Sequence, residues 1–475
     1  MHDYVIIGSG PTGLTLAWYL AKNNKKILII EKELSIGGCH RVRRVEHNGI
    51  NYFTEHGPRI YIDNYYHLID LLKSMHVNFN ELFTPYDFTV NISIQQIISQ
   101  LSTREILAIV YEFMIYAINE NASKKIPLVD FLREYNFSRQ SIKTIDRICR
   151  LTDGGTIDNY TLFEFFEVFN QNFFYNIYQP KKPNDIGLFK IWMDNLVNTG
   201  NVSILFNTNI TEIIYDKNNN ISAITDGKTE YIAKKYIFAI PPEPFITILN
   251  NSTNKNIFGD ISKLKELSEY SKYLTYIPVI FHWHEKLKLK KVWGSTDTDW
   301  GIAFIVLSDY MTFTESKTVI VATVTLSDSI SSYTNKTANQ SSEPELINEV
   351  LNQLKIYHEL SIPNVSILSP GIYRKNNKWE THDTAFILTK YGHMPKTQYK
   401  NVYWIGTHSG LSNYNFTSME SAMENAVMLL SRIEPSIEIP KHRIITVKMI
   451  IAIVAVIIIY IYIYKYYDGT SIDTI

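Results

Sequence analysis

The sequence predicts an α/β fold that opens on a nucleotide-binding β-α-β unit, continues through helix-rich and strand-rich stretches, and ends in one C-terminal transmembrane helix. Three observations predict it. A glycine-rich turn, Gly8 to Gly13, separates two short apolar runs near the start. A strand, a glycine turn and a helix follow one another over 402–433, and an almost uncharged apolar run fills 444–464.

At 475 residues the chain exceeds what one compact core organises and divides into two or three domains. With 46 basic and 47 acidic residues, net charge −1, it lacks the basic surface that nucleic-acid phosphates would require. The two cysteines, Cys39 and Cys149, make no disulfide framework. Without a CxxC or Cys/His cluster, no metal site is predicted. His282 and His284 would share one face of a strand, but no third ligand stands at close spacing.

The first element is β-α-β. Residues 4–7 and 27–30 are apolar strand runs, and 14–22 has helical apolar spacing. Between them lies Gly8-x-Gly10-Pro11-x-Gly13. In such a Rossmann-like unit the first glycine permits the tight turn, the second lets a pyrophosphate approach the backbone, and the third lets helix and strand pack closely. The phosphate then sits on helix N-terminal amides. Glu31 ends the second strand about twenty residues on, where a carboxylate accepts hydrogen bonds from a ribose hydroxyl pair.

The stretches LSIGGCHRVRR and NGINYFTEHGPRIY choose between dinucleotides. Here the chain resembles the flavoprotein superfamily of amine oxidases, protoporphyrinogen oxidases and phytoene desaturases. The resemblance implies FAD as cofactor, with Gly37, Gly38 and Arg41 at its phosphates and the Gly57-Pro58-Arg59 turn against the isoalloxazine. The strands and turns of 202–242 resemble the family's middle section, where Ile210 would touch the adenine side. The 402–433 stretch resembles the closing FAD motif, with Gly406 near the ribityl phosphate region and Ser418, Met419 and Glu420 at a helix start beneath the flavin. A helix N-terminus there would stabilise negative charge on the reduced ring.

The resemblance further implies a division into an FAD domain, 1–83, 181–245 and 399–435, and a substrate domain, 84–180 and 246–398. The first insertion reads as helical over LSTREILAIVYEFMIYAI and IPLVDFLREY; the second is strand-rich, as in IPVIFHW and TVIVATVTL. The implied activity is that of an FAD-dependent oxidoreductase passing a hydride equivalent from a small organic substrate to the flavin. No cysteine lies in the closing stretch to form an 8α-cysteinyl link there, so FAD is expected to be noncovalent. Many amine oxidases carry a lysine on a strand facing the flavin; here that place falls near Pro278, which counts against amine oxidation. No catalytic residue is assigned.

Two other activities use a similar fold. UDP-galactopyranose mutases share the N-terminus and a closing motif partly matched by Gly406 to Glu420, with Tyr414 and Phe416, but Thr407 replaces an arginine and Arg59 a histidine. Rab GDP-dissociation inhibitors bind prenylated GTPases without redox chemistry; the intact Gly13 and closing motif argue for FAD instead.

The run 444–464 is long enough to cross a hydrocarbon core. Lys441, Arg443 and Lys448 precede it or lie at its start, and tyrosines crowd its far end. It is expected to be a tail anchor, with the large domain cytoplasmic and residues 465–475 as a short tail across the membrane. Oligomeric state is not predicted.

Overall fold

The computed structural model describes all residues except 58, 87–88, 91–98, 154, 171–174, 218–219, 271, 275, 291, 296, 357, 383–384, 388–396, 398, 413–417, 443 and 470–475. The mixed α/β, Rossmann-like architecture is present. Its central sheet has five parallel strands in the order Val402–Trp404, Ala233–Phe238, His2–Ile7, Ile27–Ile30, Val202–Leu205. Strands buried on both faces read as near-continuous apolar runs, and VII and ILII do so.

Helix Pro11–Lys22 packs on one face, tied to helix Met419–Ile433 by the Thr12 hydroxyl, which donates to the Ala422 carbonyl at 3.0 Å. The other face carries Ile210, Ile213 and Phe245 above Val5, Ile30 and Phe238. These two cores hold the sheet rigid, so the loops at its carboxyl edge are positioned by buried strands.

A second sheet has six strands in the order Val365–Leu368, Ile277–Trp283, Thr318–Val324, Ala303–Val306, Val292–Ser295, Thr89–Val90. Ile277–Trp283 and Thr318–Val324 pair antiparallel over their full length. Alternate residues face opposite sides. Ile320, Ala322 and Val324 fill a core with Trp300 and Leu346. Val319 and Val321 face Val42 and Phe53 of the N-terminal segment.

Helices Thr103–Ile118, Leu128–Glu134, Arg139–Asp153 and Leu162–Phe169 belong to a separate helical layer. Its aromatic core includes Phe113, Tyr116, Phe131 and Phe166. Ser102 and Glu105 close the first of these helices with reciprocal side-chain to backbone bonds.

The expected transmembrane tail anchor is corrected. Among the described residues no helix is long and apolar enough to cross a membrane. The 444–464 run contributes to a helix, Val447–Gly469, whose first turns belong to the folded body. Val447 and Ile451 pack against the helical core. The Lys448 ammonium reaches Glu120 at 3.3 Å and lies 5.1 Å from the centre of the Tyr116 ring, while its backbone N–H donates to Asn170 Oδ1 at 3.0 Å. Counting from Ala452 to Tyr464 leaves about thirteen residues, short of the roughly 20 a bilayer core requires. Beyond Ile451, described side chains such as Val456 and Tyr460 are exposed. The single-pass topology, the membrane contact through this helix and the cytoplasmic placement that depended on it lose their support.

Candidate functional site

The strand order reverses between His2–Ile7 and Ala233–Phe238, and open α/β sheets bind ligands at the carboxyl ends of such a pair. The glycines meet there. Gly8 has φ +98°, and a Cβ on it would lie 2.6 Å from the Ala239 carbonyl oxygen; one on Gly13 would lie 2.0 Å from the Gly8 oxygen. Neither place has room for a side chain. Gly10 caps the helix that Pro11 begins, without a side-chain hydrogen bond to its first turn. First-turn amides are the groups that an anion takes up.

The second glycine pair packs on this loop. A Cβ on Gly38 would lie 3.0 Å from Gly10 Cα, and the Gly37 N–H donates to the Ser9 carbonyl at 2.9 Å. Both residues have positive φ, +119° and +57°. Glu31, buried at the end of its strand, accepts from the Ser9 N–H at 2.9 Å and from the Ser9 hydroxyl at 2.5 Å. Its other oxygen lies 3.2 Å from the buried Arg41 guanidinium, which also donates to the Ser35 and Gly38 carbonyls. The two residues expected at ribose and phosphate thus form a buried pair that braces the two glycine loops. Ile210 lies near this end: the Thr208 N–H donates to the Glu31 carbonyl at 3.1 Å.

At the closing motif, Gly406 begins a short turn in which a Cβ would lie 2.7 Å from the His408 ring. Ser418 caps helix Met419–Ile433 by accepting from the Ser421 N–H at 3.0 Å, and Met419 is buried among the apolar residues of the first helix. Tyr414 and Phe416, like Pro58, lie outside the described residues.

The Glu55–Arg59 turn borders a cluster that spacing did not reveal. Five buried polar atoms around it have no hydrogen-bond partner among the described residues: His40 Nδ1, Arg59 Nε, Gln179 Oε1, Asn184 Oδ1 and Thr323 Oγ1. Their neighbours tie them together. Arg59 donates to the Cys39 carbonyl, and Gln179 Nε2 donates to the Arg59 carbonyl at 2.7 Å. Asn184 Nδ2 donates to the Tyr61 hydroxyl at 3.2 Å, and the His40 ring centre is 6.4 Å from that of Tyr61. Thr323 Oγ1 lies 3.5 Å from where a Gly57 Cβ would stand. Buried polar atoms in native folds are nearly always paired, so a cluster of unpaired ones marks where a polar ligand binds.

Electrostatics there are unusual. Burial pushes the Glu55 carboxyl up to about 7, against the pull of Arg59. Burial, with Arg59 and His56 beside it, holds the His40 ring well below its usual range. Perturbed groups of this kind concentrate at functional sites. The glycine cradle at one end and the polar cluster at the other fit a dinucleotide carrying a polar ring system, as FAD does.

His282 is structural. Its ring nitrogens lie 3.0 Å from Ser316 Oγ and 3.0 Å from the Phe53 carbonyl, and burial lowers it to about 4. Among the described residues no group of three His, Cys, Asp or Glu could hold a metal. A cleft of about 1130 Å³ beside His284 is lined by Arg44, Glu315 and Lys317 and by none of the glycine-loop residues. Its Arg44 is paired, to Asp185 at 2.8 Å and Glu315 at 3.1 Å.

Residues 6–75 match the family model of the NAD(P)-binding Rossmann-like domain. A thiamine thiazole synthase of Pyrococcus horikoshii is 56% identical over 36 residues, 8% of this chain. A UDP-galactopyranose mutase of Mycoplasma genitalium is 31% identical over 103 residues, 18% of this chain. The matches span only 14% and 24% of those proteins' lengths.

Solved structures align far more widely. Putrescine oxidase bound to putrescine has a TM-score of 0.66 at 14% identity, covering 91% of this chain and 98% of that one. Cyclohexylamine oxidase from Brevibacterium oxydans has a TM-score of 0.60 at 14% identity, covering 92% and 99%. An Exiguobacterium protein provisionally assigned as a protoporphyrinogen oxidase has a TM-score of 0.60 at 16% identity, covering 91% and 98%. The fold is that of these amine oxidase and protoporphyrinogen oxidase-like structures.

Proposed function

We propose that this protein is an FAD-dependent oxidoreductase that removes a hydride equivalent from a small organic substrate. The observation that carries the reading is the adjacency of two features, joined where Arg59 donates to the Cys39 carbonyl beside Gly38. One is a backbone cradle closed to side chains at Gly8 and Gly13; the other is the set of unpaired buried polar atoms around the Glu55–Arg59 turn.

FAD, when bound, supplies hydride acceptance at its flavin ring. The protein's part is placement and exclusion of water. The glycine loop and the start of helix Pro11–Lys22 would hold the pyrophosphate, and Glu31 the ribose end. Arg59, His40, Gln179, Asn184 and Thr323 would surround the ring. The N-terminus of helix Met419–Ile433 would lie beneath it, and Gly406 near the ribityl chain. Noncovalent binding is the reading retained for Cys39 and Cys149.

The test is a visible spectrum of the full-length purified protein. A yellow protein whose flavin bleaches anaerobically with one substrate among polyamines, porphyrinogens and isoprenoids supports the reading; a colourless protein that takes up no added FAD overturns it. The mutase resemblance gives the competing outcome, turnover of a UDP-sugar after chemical reduction with no bleaching by any of those substrates.

A further inference from the structure

Thr323 sits in a strand, TVIVATV, whose residues are all buried. It has no exposed surface, and its hydroxyl has no hydrogen-bond partner among the described residues. The other threonine of that strand, Thr318, differs: it accepts from the Leu287 N–H at 2.9 Å and donates to the Glu285 carbonyl at 2.8 Å. Leaving a hydroxyl buried and unpaired is costly, whereas a valine of nearly the same shape would carry no such penalty.

Its surroundings explain what the hydroxyl faces. Thr323 is opposite Pro278 on one neighbouring strand and Ala303 on the other, so these three share one rung and one face of the sheet. The face is that of Val319 and Val321, which pack toward Phe53 and Val42 of the N-terminal segment. Proline and alanine leave the rung low on either side of the hydroxyl. Its Oγ1 lies 3.5 Å from where a Cβ on Gly57 would stand. Next to Gly57, the His56 ring centre lies 5.2 Å from that of Tyr276, the residue just before strand Ile277–Trp283. Of the five unpaired atoms around this turn, Thr323 Oγ1 alone comes from the six-stranded sheet.

We propose that Thr323 is a cofactor-binding residue: its hydroxyl hydrogen-bonds a heteroatom of the bound flavin ring and so anchors the substrate sheet to the redox end of FAD. The inference rests on the FAD reading above and adds a specific polar contact to it. A neutral hydroxyl binds without bringing a charge to the ring.

The test compares full-length wild type, T323V and T323S for FAD dissociation constant, flavin absorption spectrum and apo-protein melting. T323V is expected to weaken FAD about three- to tenfold, the loss of one hydrogen bond, and to shift the flavin bands. T323S should retain both wild-type values. T323V with wild-type affinity and a superposable spectrum overturns the proposal, as does a T323V effect on apo melting alone. If T323V does not fold, T323A is read the same way. A wild type that binds no FAD overturns this proposal together with the functional reading; a wild type that binds FAD while T323V is silent overturns this proposal only.

Discussion

A Cβ placed on Gly13 would lie 2.0 Å from the backbone oxygen of Gly8, five residues earlier in the chain. No real pair of atoms tolerates that approach, and the obstructing atom is backbone, which cannot swing aside. Gly13→Ala is therefore expected to push the first helix off its strand, costing about 1–3 kcal/mol as overpacking does. Urea unfolding of the apo protein would show the loss. The visible spectrum would show depleted flavin at protein concentrations where wild type is saturated.

Glu31 and Arg41 make a second such joint, with both side chains buried and 3.2 Å apart. Breaking a buried pair from one side is worse than never having had it, because the remaining charge stays desolvated. Glu31→Ala should destabilise by about 3 kcal/mol. Glu31→Gln, which keeps an acceptor for the Ser9 N–H, should cost less. Chemical denaturation of both variants without cofactor separates this brace from any ribose contact.

The Glu55 carboxyl has a predictable pH signature. Its folded pKa, about 7, stands above the ordinary 4.5, so its neutral form is favoured by folding. The associated stability is fully present below about pH 4.5 and is lost as pH rises through about 7. Glu55→Gln removes the dependence. The variant should match wild type near pH 4.5 and exceed it by up to about 3 kcal/mol at pH 8. Melting curves of the apo protein across that range would decide it; an unchanged wild-type slope in the variant would exclude Glu55 as the source.

Glu420 joins two distant segments. It accepts from the His67 and Leu68 N–H groups at 2.7 and 3.2 Å, at the start of helix Tyr66–Ser74, and contacts the His67 ring at 2.8 Å. Burial opposes the charged ring, yet the Glu420 carboxylate raises His67 overall. That contribution is fully present below the ordinary histidine value of 6.5 and fades as pH climbs past the raised folded value. Glu420→Gln should lose about 1.5–3 kcal/mol near pH 6, as for hydrogen bonds to a charged group. The variant should also flatten the decline above it, measured by thermal unfolding at stepped pH.

The glycine loop was legible because its constraint is local: Gly8, Gly10 and Gly13 are set by a turn, a cap and one helix–strand contact within a single β-α-β unit. Gly37 and Gly38 were legible only through resemblance, since a Cβ on Gly38 would meet the distant Gly10 and one on Gly37 would meet Arg41 and the distant Phe189. The polar cluster was not legible. Gln179, Asn184 and Thr323 come from separate segments and carry no spacing signal, although a lone hydroxyl in the otherwise apolar VIVATV run was a clue that could have been followed. The tail failed for a related reason. Hydropathy over 444–464 registers apolar length, but it cannot register that Val447, Lys448 and Ile451 are occupied by Tyr116, Glu120 and Asn170 of the helical layer.

By itself the sequence determined the β-α-β cradle and the mixed α/β class, because apolar periodicity and backbone geometry act over a few residues. Only the tertiary structure decided that Glu31 and Arg41 brace one another, that the start of the C-terminal helix docks on the folded body, and that Thr323 meets Gly57. The first depends on the packing of two glycine loops against one another, and the other two on contacts between residues hundreds of positions apart, whose free energy exists only once the fold has formed.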